Sequence, residues 1–155
     1  MLKKNLIIFY ITFITFFVDR FSKYYILKIL PDNIDYIPIT SFLNFNLILN
    51  KGIAFGLFSF DEQFYYNIIT VIIVLITLVI FFMAIKSKGI EKISFSLIFG
   101  GSLGNIFDRL YYSAVIDFID IYVNNFHWFI FNFADIFISI GVILLIFFEL
   151  FKKKI

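Results

Sequence analysis

Residues 63–85, QFYYNIITVIIVLITLVIFFMAI, contain no charged side chain. A helix needs about 20 mainly apolar residues to cross the hydrocarbon core of a bilayer, so this segment alone predicts a membrane protein. Three further apolar stretches are long enough to cross, although each of them carries charges. They cover residues 5–30, 93–112 and 131–151. The sequence therefore predicts an all-α membrane protein with four transmembrane helices.

The overall composition agrees with a bilayer environment. Hydrophobic residues make up 62% of the 155-residue chain and charged residues 15%, against about 45–50% and about 25% in soluble domains. A globule of this size has too little interior to bury so much apolar side chain. We therefore expect residues 1–155 to form a single integral membrane domain.

The basic residues predict how the helices are oriented, because cytoplasmic loops carry an excess of Lys and Arg. Most of them lie at one set of helix ends: Lys3, Lys4, Lys86, Lys88, Lys92, Lys152, Lys153 and Lys154. The opposite loops, about 31–62 and 113–130, contain a single Lys or Arg residue, Lys51. We therefore expect both termini in the cytoplasm and the two longer loops on the outer side.

The first apolar stretch has an alternative interpretation as a cleaved signal peptide, since it has a basic start and an apolar run. Cleavage would require small residues after that run. The residues found there are Phe16, Phe17, Val18 and Asp19. We therefore expect the first helix to be retained.

Segment 36–50, YIPITSFLNFNLILN, predicts a β-strand beside the membrane. Its apolar residues alternate with others, as in a strand that has one apolar face. The alternating apolar positions are Leu43, Phe45, Leu47 and Leu49. Glycines suited to turns follow at Gly52 and Gly56. We expect a small extracytoplasmic β-rich cradle here.

Ionisable side chains cluster at the predicted outer ends of the helices and in the adjoining loop. They are Asp19, Lys23, Asp108, Arg109, Asp117 and Asp135. Such groups are rare in or beside membrane spans, and by default they indicate function. Four helices that converge at this level would bring these side chains together.

Some of these charges have a structural interpretation. Asp19 and Lys23 are spaced i, i+4 in the favourable acid-before-base order, which favours an ion pair within the first helix. Asp108 and Arg109 are adjacent and therefore point to different sides of their helix. We expect one or both to pair with other helices, and Arg109 to hold a loop or to compensate nearby carboxylates.

The third helix also has a packing motif. Gly100 and Gly104 put small residues on successive turns, which is typical of closely packed membrane helices. Asn105, which follows directly, is a polar group that needs a partner inside the bundle.

Asp117 and Asp135 have no basic neighbour in the sequence. Asp135 could cap the fourth helix, and Asp117 could be a solvated loop residue. The spacing does not decide between these interpretations and catalysis. The chain has no cysteine, a single histidine (His127), and none of the motifs H-E-x-x-H, G-x-S-x-G or a phosphate-binding loop. Among hydrolytic chemistries, paired carboxylates therefore remain.

Two functions from other classes stay open on the residues alone. A transporter or proton-coupled subunit would also use membrane carboxylates, but near mid-span and beside broken helices. A structural or assembly factor would use its polar residues only to hold the bundle together. That factor would tolerate Asp117→Asn, whereas an enzyme would lose its function in an intact fold.

Four blocks, in this order, resemble the lipoprotein signal peptidase family. They are Asp19-Arg20-Phe21-Ser22-Lys23, residues 50–56 (NKGIAFG), residues 100–109 (GGSLGNIFDR) followed by 115–118 (VIDF), and residues 131–135 (FNFAD). Together they extend over nearly the whole chain. The departures are Ser22, Ser102 and Ser113, where Thr, Ala and Gly are common in the family.

The resemblance implies an aspartic endopeptidase of the signal peptidase II type, which cleaves prolipoproteins on the N-terminal side of a diacylglyceryl-modified cysteine. It implies Asp117 and Asp135 as the catalytic pair, with no metal or cofactor. The implied supporting or substrate-binding positions are Asn50, Gly52, Asn105, Asp108, Arg109, Asn132 and Ala134. Asp19 and Lys23 are implied as structural positions.

The same resemblance implies a multi-pass protein of the bacterial cytoplasmic (inner) membrane. Its partners would be prolipoprotein substrates and membrane lipid, and not nucleic acid, for which the chain shows no basic stripe. Its active site would lie near the outer face.

Overall fold

Four long helices account for most of the residues that the structure describes. The computed structural model describes residues 2–30, 36–52, 63–124 and 126–152. The helices are α1 (Leu2–Ile29), α2 (Gln63–Lys86), α3 (Gly89–Tyr112) and α4 (Phe133–Lys152). Each of them covers one of the predicted apolar stretches, and the largest difference is the earlier start of α3.

Three of these helices are long and apolar enough to cross a membrane, within the part of the chain that the structure describes. They are the segments Asn5–Ile29, Gln63–Lys86 and Phe133–Phe151. The helix α3 is as long as α2 but more polar, since it carries four charged residues and three serines. It packs against α1, α2 and α4, so the other helices shield much of this polar surface.

Glycines let α3 approach its neighbours closely. A methyl group added at Gly104 would lie 2.5 Å from the carboxylate of Asp19, and one at Gly101 would lie 2.6 Å from the carbonyl oxygen of Ala134. At Gly100 it would lie 1.8 Å from the hydroxyl of Thr15. The predicted close packing at Gly100 and Gly104 is confirmed, and it faces α1.

A four-stranded antiparallel sheet lies at the end of the bundle where α1 and α3 end and α4 begins. Its strands are β1 (Ile37–Thr40), β2 (Leu43–Asn50), β3 (Val115–Val123) and β4 (Phe126–His127), in the spatial order β1-β2-β3-β4. The segment expected to be one strand is therefore the hairpin β1–β2. Residues 113–130, expected to be a loop, supply the two other strands.

The apolar side of this sheet packs on the end of α1. Ile26 and Leu30 form a buried cluster with Ile116, Phe118 and Ile119 of β3. Three of the four predicted apolar positions of β2 pack against this cluster: Leu43, Phe45 and Leu47. Leu49 is exposed instead, beyond a register irregularity between Phe45 and Ile48.

Ser113 ends α3 in the left-handed conformation, with φ 56°. A side chain with a Cβ is strained there by roughly 1–2 kcal/mol, which is why glycine is preferred at this helix position. The departure from the family pattern at Ser113 therefore has a conformational consequence.

We expect Ser113→Gly to raise the unfolding temperature in detergent, because it relieves this strain. The gain in the free energy of unfolding should be about 1 kcal/mol or less, since glycine also makes the unfolded chain more flexible. Ser113→Ala is the matched control, because it keeps the Cβ. A gain of equal size in both variants would contradict the strain at Ser113.

Candidate active site

Lys23 lies at the centre of a buried charge cluster and is 1% exposed. Its ammonium nitrogen is 3.0 Å from Asp19 Oδ2, 2.7 Å from Asp108 Oδ2 and 3.0 Å from Asn105 Oδ1, which uses all three of its donors. The predicted pair between Asp19 and Lys23 is confirmed, and so is the pairing of Asp108 with another helix.

Arg20 completes this cluster. Its guanidinium lies 2.8 Å from Asp19 Oδ2 and 2.6 Å from Asp108 Oδ1. The cluster therefore holds two cations and two carboxylates, and such mutual pairing makes buried ionised groups tolerable. The sequence analysis did not assign Arg20 to the cluster, although it directly follows Asp19.

The first turn of α4 is fixed by a reciprocal pair of hydrogen bonds. The side-chain oxygen of Asn132 accepts the N–H of Asp135 at 3.0 Å, and Asp135 Oδ2 accepts the N–H of Asn132 at 3.3 Å. This arrangement is a capping box, in which Asn132 is the cap and Asp135 its partner. The interpretation of Asp135 as the residue that caps α4 is therefore wrong: Asn132 is the cap, and Asp135 contributes one oxygen to the capping box from within the first turn.

A second carboxylate also reaches this helix end. Asp19 Oδ1 accepts the N–H of Ala134 at 3.0 Å, so α1 caps α4 from the neighbouring helix. Ala134 is fully buried, and its carbonyl packs on Gly101 of α3. The charge cluster and the start of α4 are therefore one connected unit.

The strand β3 carries Asp117 into the interior, where it is 2% exposed. Its Oδ1 accepts a hydrogen bond from Asn132 Nδ2 at 2.6 Å, and its Oδ2 accepts one from Asn50 Nδ2 at 2.8 Å. The interpretation of Asp117 as a solvated loop residue is therefore wrong.

Asn50 is positioned by a second chain of contacts. Its side-chain oxygen accepts the N–H of Gly52 at 2.7 Å, and Arg109 donates to the carbonyl of Gly52. Arg109 therefore holds a loop, as its sequence position suggested. Residues 53–56 of the same motif lie outside the described residues.

Asn132 and Asn105 bring Asp117 and Asp135 to one place. Asn132 contacts both carboxyl groups. The amide of Asn105 donates to Asp135 Oδ1 at 2.9 Å and accepts from Asn132 Nδ2 at 3.2 Å. The partner that Asn105 was expected to need is therefore found on α1 and on α4.

The two carboxyl groups line a common cavity of about 160 Å³. The cavity lies between β2 and β3 of the sheet and the helices α2, α3 and α4. Its other polar lining residues are Asn50, Ser102, Asn105, Arg109 and Ser139. Both acids therefore face the same space.

The carboxyl groups at the cavity differ electrostatically from those of the charge cluster. Within the described part of the chain, Asp19 and Asp108 are paired with Lys and Arg, whereas the oxygens of Asp117 and Asp135 accept hydrogen bonds from amide groups. A neutral donor favours the ionised form less than a cation does. The cavity pair is therefore the place where a carboxyl group can keep a proton at neutral pH.

Burial and, to a smaller extent, the neighbouring charge of Asp135 raise the pKa of Asp117 from 3.8 to about 7, although the hydrogen bonds from Asn50 and Asn132 act in the opposite direction. The folded chain therefore binds this proton more readily than the unfolded chain does. As a result, the group destabilises the fold increasingly as the pH rises from about 4 to about 7, and by a constant amount above that range.

One buried acid of the sheet was missed by the sequence analysis. Asp120 accepts a hydrogen bond from Asn44 Nδ2 at 3.2 Å and pairs with His127 Nδ1 at 2.9 Å. It does not line the cavity. Asp117 and Asp120 are both buried although they are three positions apart on β3. Polar residues three positions apart do not fit the alternation of apolar and polar residues by which a strand is identified in a sequence.

We expect Lys23→Met to destabilise the fold strongly, because it leaves Asp19 and Asp108 with one cation between them. Removing one partner of a buried ion pair costs about 3–5 kcal/mol, measurable as the free energy of unfolding in detergent. Lys28→Met is the matched control, since Lys28 is an exposed lysine of the same helix. Equal stability of the two variants would show that the cluster does not hold the helices.

Comparison with known proteins gives consistent matches over nearly the full chain. A family model described as signal peptidase (SPase) II matches residues 11–151. A lipoprotein signal peptidase of Pelagibacter ubique is 53% identical over 149 residues, which are 95% of this chain and 87% of that protein. One of Wigglesworthia glossinidia brevipalpis is 44% identical over 154 residues, which are 99% and 95% of the two chains.

A solved structure is also similar. It is that of a bacterial membrane enzyme, with a TM-score of 0.77 and 33% sequence identity. The match covers 92% of this chain and 87% of the other. The likeness therefore extends to the arrangement of the helices and the sheet.

Proposed function

Since the chain belongs to the signal peptidase II family, we propose that Asp117 and Asp135 are the catalytic pair of a membrane aspartic protease. The enzyme removes signal peptides from prolipoproteins in the bacterial inner membrane. One observation carries the assignment of the pair. These two buried carboxyl groups face one cavity and are held by amides, whereas those of Asp19 and Asp108 are neutralised by cations.

The mechanism that follows is general acid–base hydrolysis. Two close carboxyl groups cannot both ionise cheaply, so the pair holds one proton at neutral pH. The ionised member takes a proton from a water molecule, whose oxygen attacks the scissile carbonyl. The protonated member donates its proton to the carbonyl oxygen. When the resulting diol collapses and the C–N bond breaks, the amine leaves with a proton from the protonated member, and the other member takes a proton from a diol hydroxyl. The products are a carboxylic acid and an amine, and the pair again holds one proton.

We do not assign the acid role to one member of the pair and the base role to the other, because two coupled acids titrate as a unit. Asn50, Asn105 and Asn132 fix the orientation of both carboxyl groups, so that their remaining lone pairs face the cavity. Arg109 acts through Gly52 and Asn50, whereas Asp108 acts through Lys23. Ala134 is small because α3 and Asp19 approach the backbone there.

The substrate is a prolipoprotein cut on the N-terminal side of a diacylglyceryl-modified cysteine. Transfer into lipid favours an acyl chain by about 0.8 kcal/mol per CH₂ group, so the diacylglyceryl group keeps the substrate in the bilayer. The scissile bond then meets the pair at the level of the sheet. Membrane lipid is thus part of the recognition, and nucleic acid is not a partner.

All four helices span the membrane as one domain, in this proposal. Support for α3 as a span comes from its length and from its position among α1, α2 and α4. The lysines at the ends of the bundle away from the sheet favour a cytoplasmic location for both termini. The sheet and the catalytic pair would then lie at the outer face.

We expect Asp117→Asn and Asp135→Asn each to lower the turnover of a purified lipidated prolipoprotein by about 10³-fold or more. The reason is that each general acid–base step contributes about 10²–10⁴-fold. Both variants should still insert and fold. Asp120→Asn is the matched control, because Asp120 is a buried acid of the same strand that does not line the cavity.

In the control, turnover should stay close to that of the unmodified enzyme. Cleavage at normal rates by either cavity variant would refute the pair. A loss of the same size in Asp120→Asn would show that activity depends on the strand and not on the two acids.

The pair should also determine the pH dependence. The pKa of Asp117 is raised to about 7, so the shared proton is lost as the pH rises through this value. We expect kcat/KM to fall tenfold per pH unit above about 7, because the acid is then missing. The measurement needs a substrate without titrating groups between pH 6 and 9.

His127→Gln is the control for this profile, since His127 is the only histidine of the chain. The variant should keep the same alkaline limb. A kcat/KM that stays level to pH 9 would contradict a shared proton. If the alkaline decline were lost in His127→Gln, it would belong to the histidine and not to the pair.

A further inference from the structure

An apolar groove runs along the side of the helix bundle, and a pocket adjoins it at the end of the helices away from the sheet. The groove, of about 680 Å³, lies between α1, α2 and α3, and it is lined mainly by apolar side chains, among them Phe9, Phe81 and Leu103. It continues into the pocket, of about 520 Å³, with which it shares Asn5 and Ile85. The two together form one elongated depression with an apolar and a polar end.

The polar end is basic. It is lined by Lys86, Lys88 and Lys92, and the described residues that line it include no carboxylate. Lys86 and Lys88 are exposed. Lys92 is buried and donates to the carbonyls of Ala84 and Ile85 at 2.8 and 3.2 Å, so it holds the end of α2 and adds its charge to the pocket.

The start of α3 adds to the positive potential of this pocket. The helix begins at Gly89, which lines the pocket, and the residue before it, Lys88, makes no side-chain cap hydrogen bond. The first N–H groups of a helix lack intrahelical partners and favour an anion. Glu91 lies in the same turn but is not a lining residue. The lysines and the helix start therefore favour the same kind of ligand.

We propose that this depression binds one anionic glycerophospholipid of the bilayer, with an acyl chain in the apolar groove and the phosphate headgroup among Lys86, Lys88 and Lys92. The headgroup pocket is separate from the catalytic pair, whereas the apolar groove extends along α3 as far as Leu110. Lys92 and Asn105 are 13 positions apart on α3, which is about 20 Å along the helix axis. The proposal therefore does not depend on which acids catalyse cleavage.

The acyl chain and the headgroup would bind in different parts of the depression, and only one of them can select between lipids. Moving an acyl chain from the bilayer into an apolar groove gains little, because lipid tails are as apolar as the side chains that they replace. The preference for one lipid over another therefore comes from the headgroup. Basic pockets between membrane helices on the cytoplasmic side suit anionic headgroups, and this is the side where the lysines are predicted to lie.

The test is lipid binding by the full chain in detergent, followed by native mass spectrometry. The probes are phosphatidylglycerol and phosphatidylcholine with identical acyl chains. We expect one phosphatidylglycerol to bind in preference to phosphatidylcholine. In the double variant Lys86→Gln/Lys88→Gln, its affinity should fall about 10- to 30-fold, since each lysine near an anionic lipid contributes about 1 kcal/mol.

The double variant Lys152→Gln/Lys153→Gln is the matched control, because it removes the same charge from the C-terminal part of the sequence, away from the lysines that line the pocket. It should bind phosphatidylglycerol almost as well as the unmodified chain. An equal loss in both double variants would overturn the proposal in favour of general surface attraction. Equal binding of the two lipids would also overturn the proposal. Binding of inorganic phosphate as tight as that of phosphatidylglycerol would overturn it too, because the groove would then have no role.

Discussion

The ammonium group of Lys23 is the contact on which the rest of the site depends. It pairs with a carboxylate of its own helix, a carboxylate of α3 and the side-chain amide oxygen of Asn105. Because Asn105 accepts from Lys23, its nitrogen is turned toward Asp135. Because Asp19 is held by Lys23, its other oxygen is available to cap α4 at Ala134. One buried cation therefore orients the packing of three helices and one of the two cavity acids.

This arrangement divides the buried carboxyl groups near the cavity into two kinds. Asp19 and Asp108 pair with Lys23 and Arg20, and this pairing holds the helices together. Asp117 and Asp135 meet amides, which position them without fixing their charge. Burial then raises the pKa of Asp117 to about 7. A general acid or base is most effective when its pKa is close to the working pH. In the proposed mechanism, the polar residues that surround the pair are a scaffold for holding one proton.

The sequence predicted the helices well, because runs of apolar residues and the placement of charges depend only on local composition. It also predicted the ion pair of Asp19 and Lys23 and the close packing at Gly104, which follow from helical periodicity. It did not predict β3, since Asp117 and Asp120 interrupt the alternation of that strand. The roles of Asn132 and Asn105 as bridges between the acids could not be derived either, because such contacts join residues brought together only by the tertiary fold.

The central claim is that Asp117 and Asp135 together hold one proton at neutral pH. Infrared spectroscopy of the substrate-free enzyme measures this directly, because a protonated carboxyl group has its own C=O band. At pH 5 that band should correspond to one carboxyl group per chain. It should disappear as the pH is raised to 9, with a midpoint of about 7, and it should be absent from the double variant Asp117→Asn/Asp135→Asn. A pair already fully ionised at pH 6, or a band that persists in the double variant, would contradict the account.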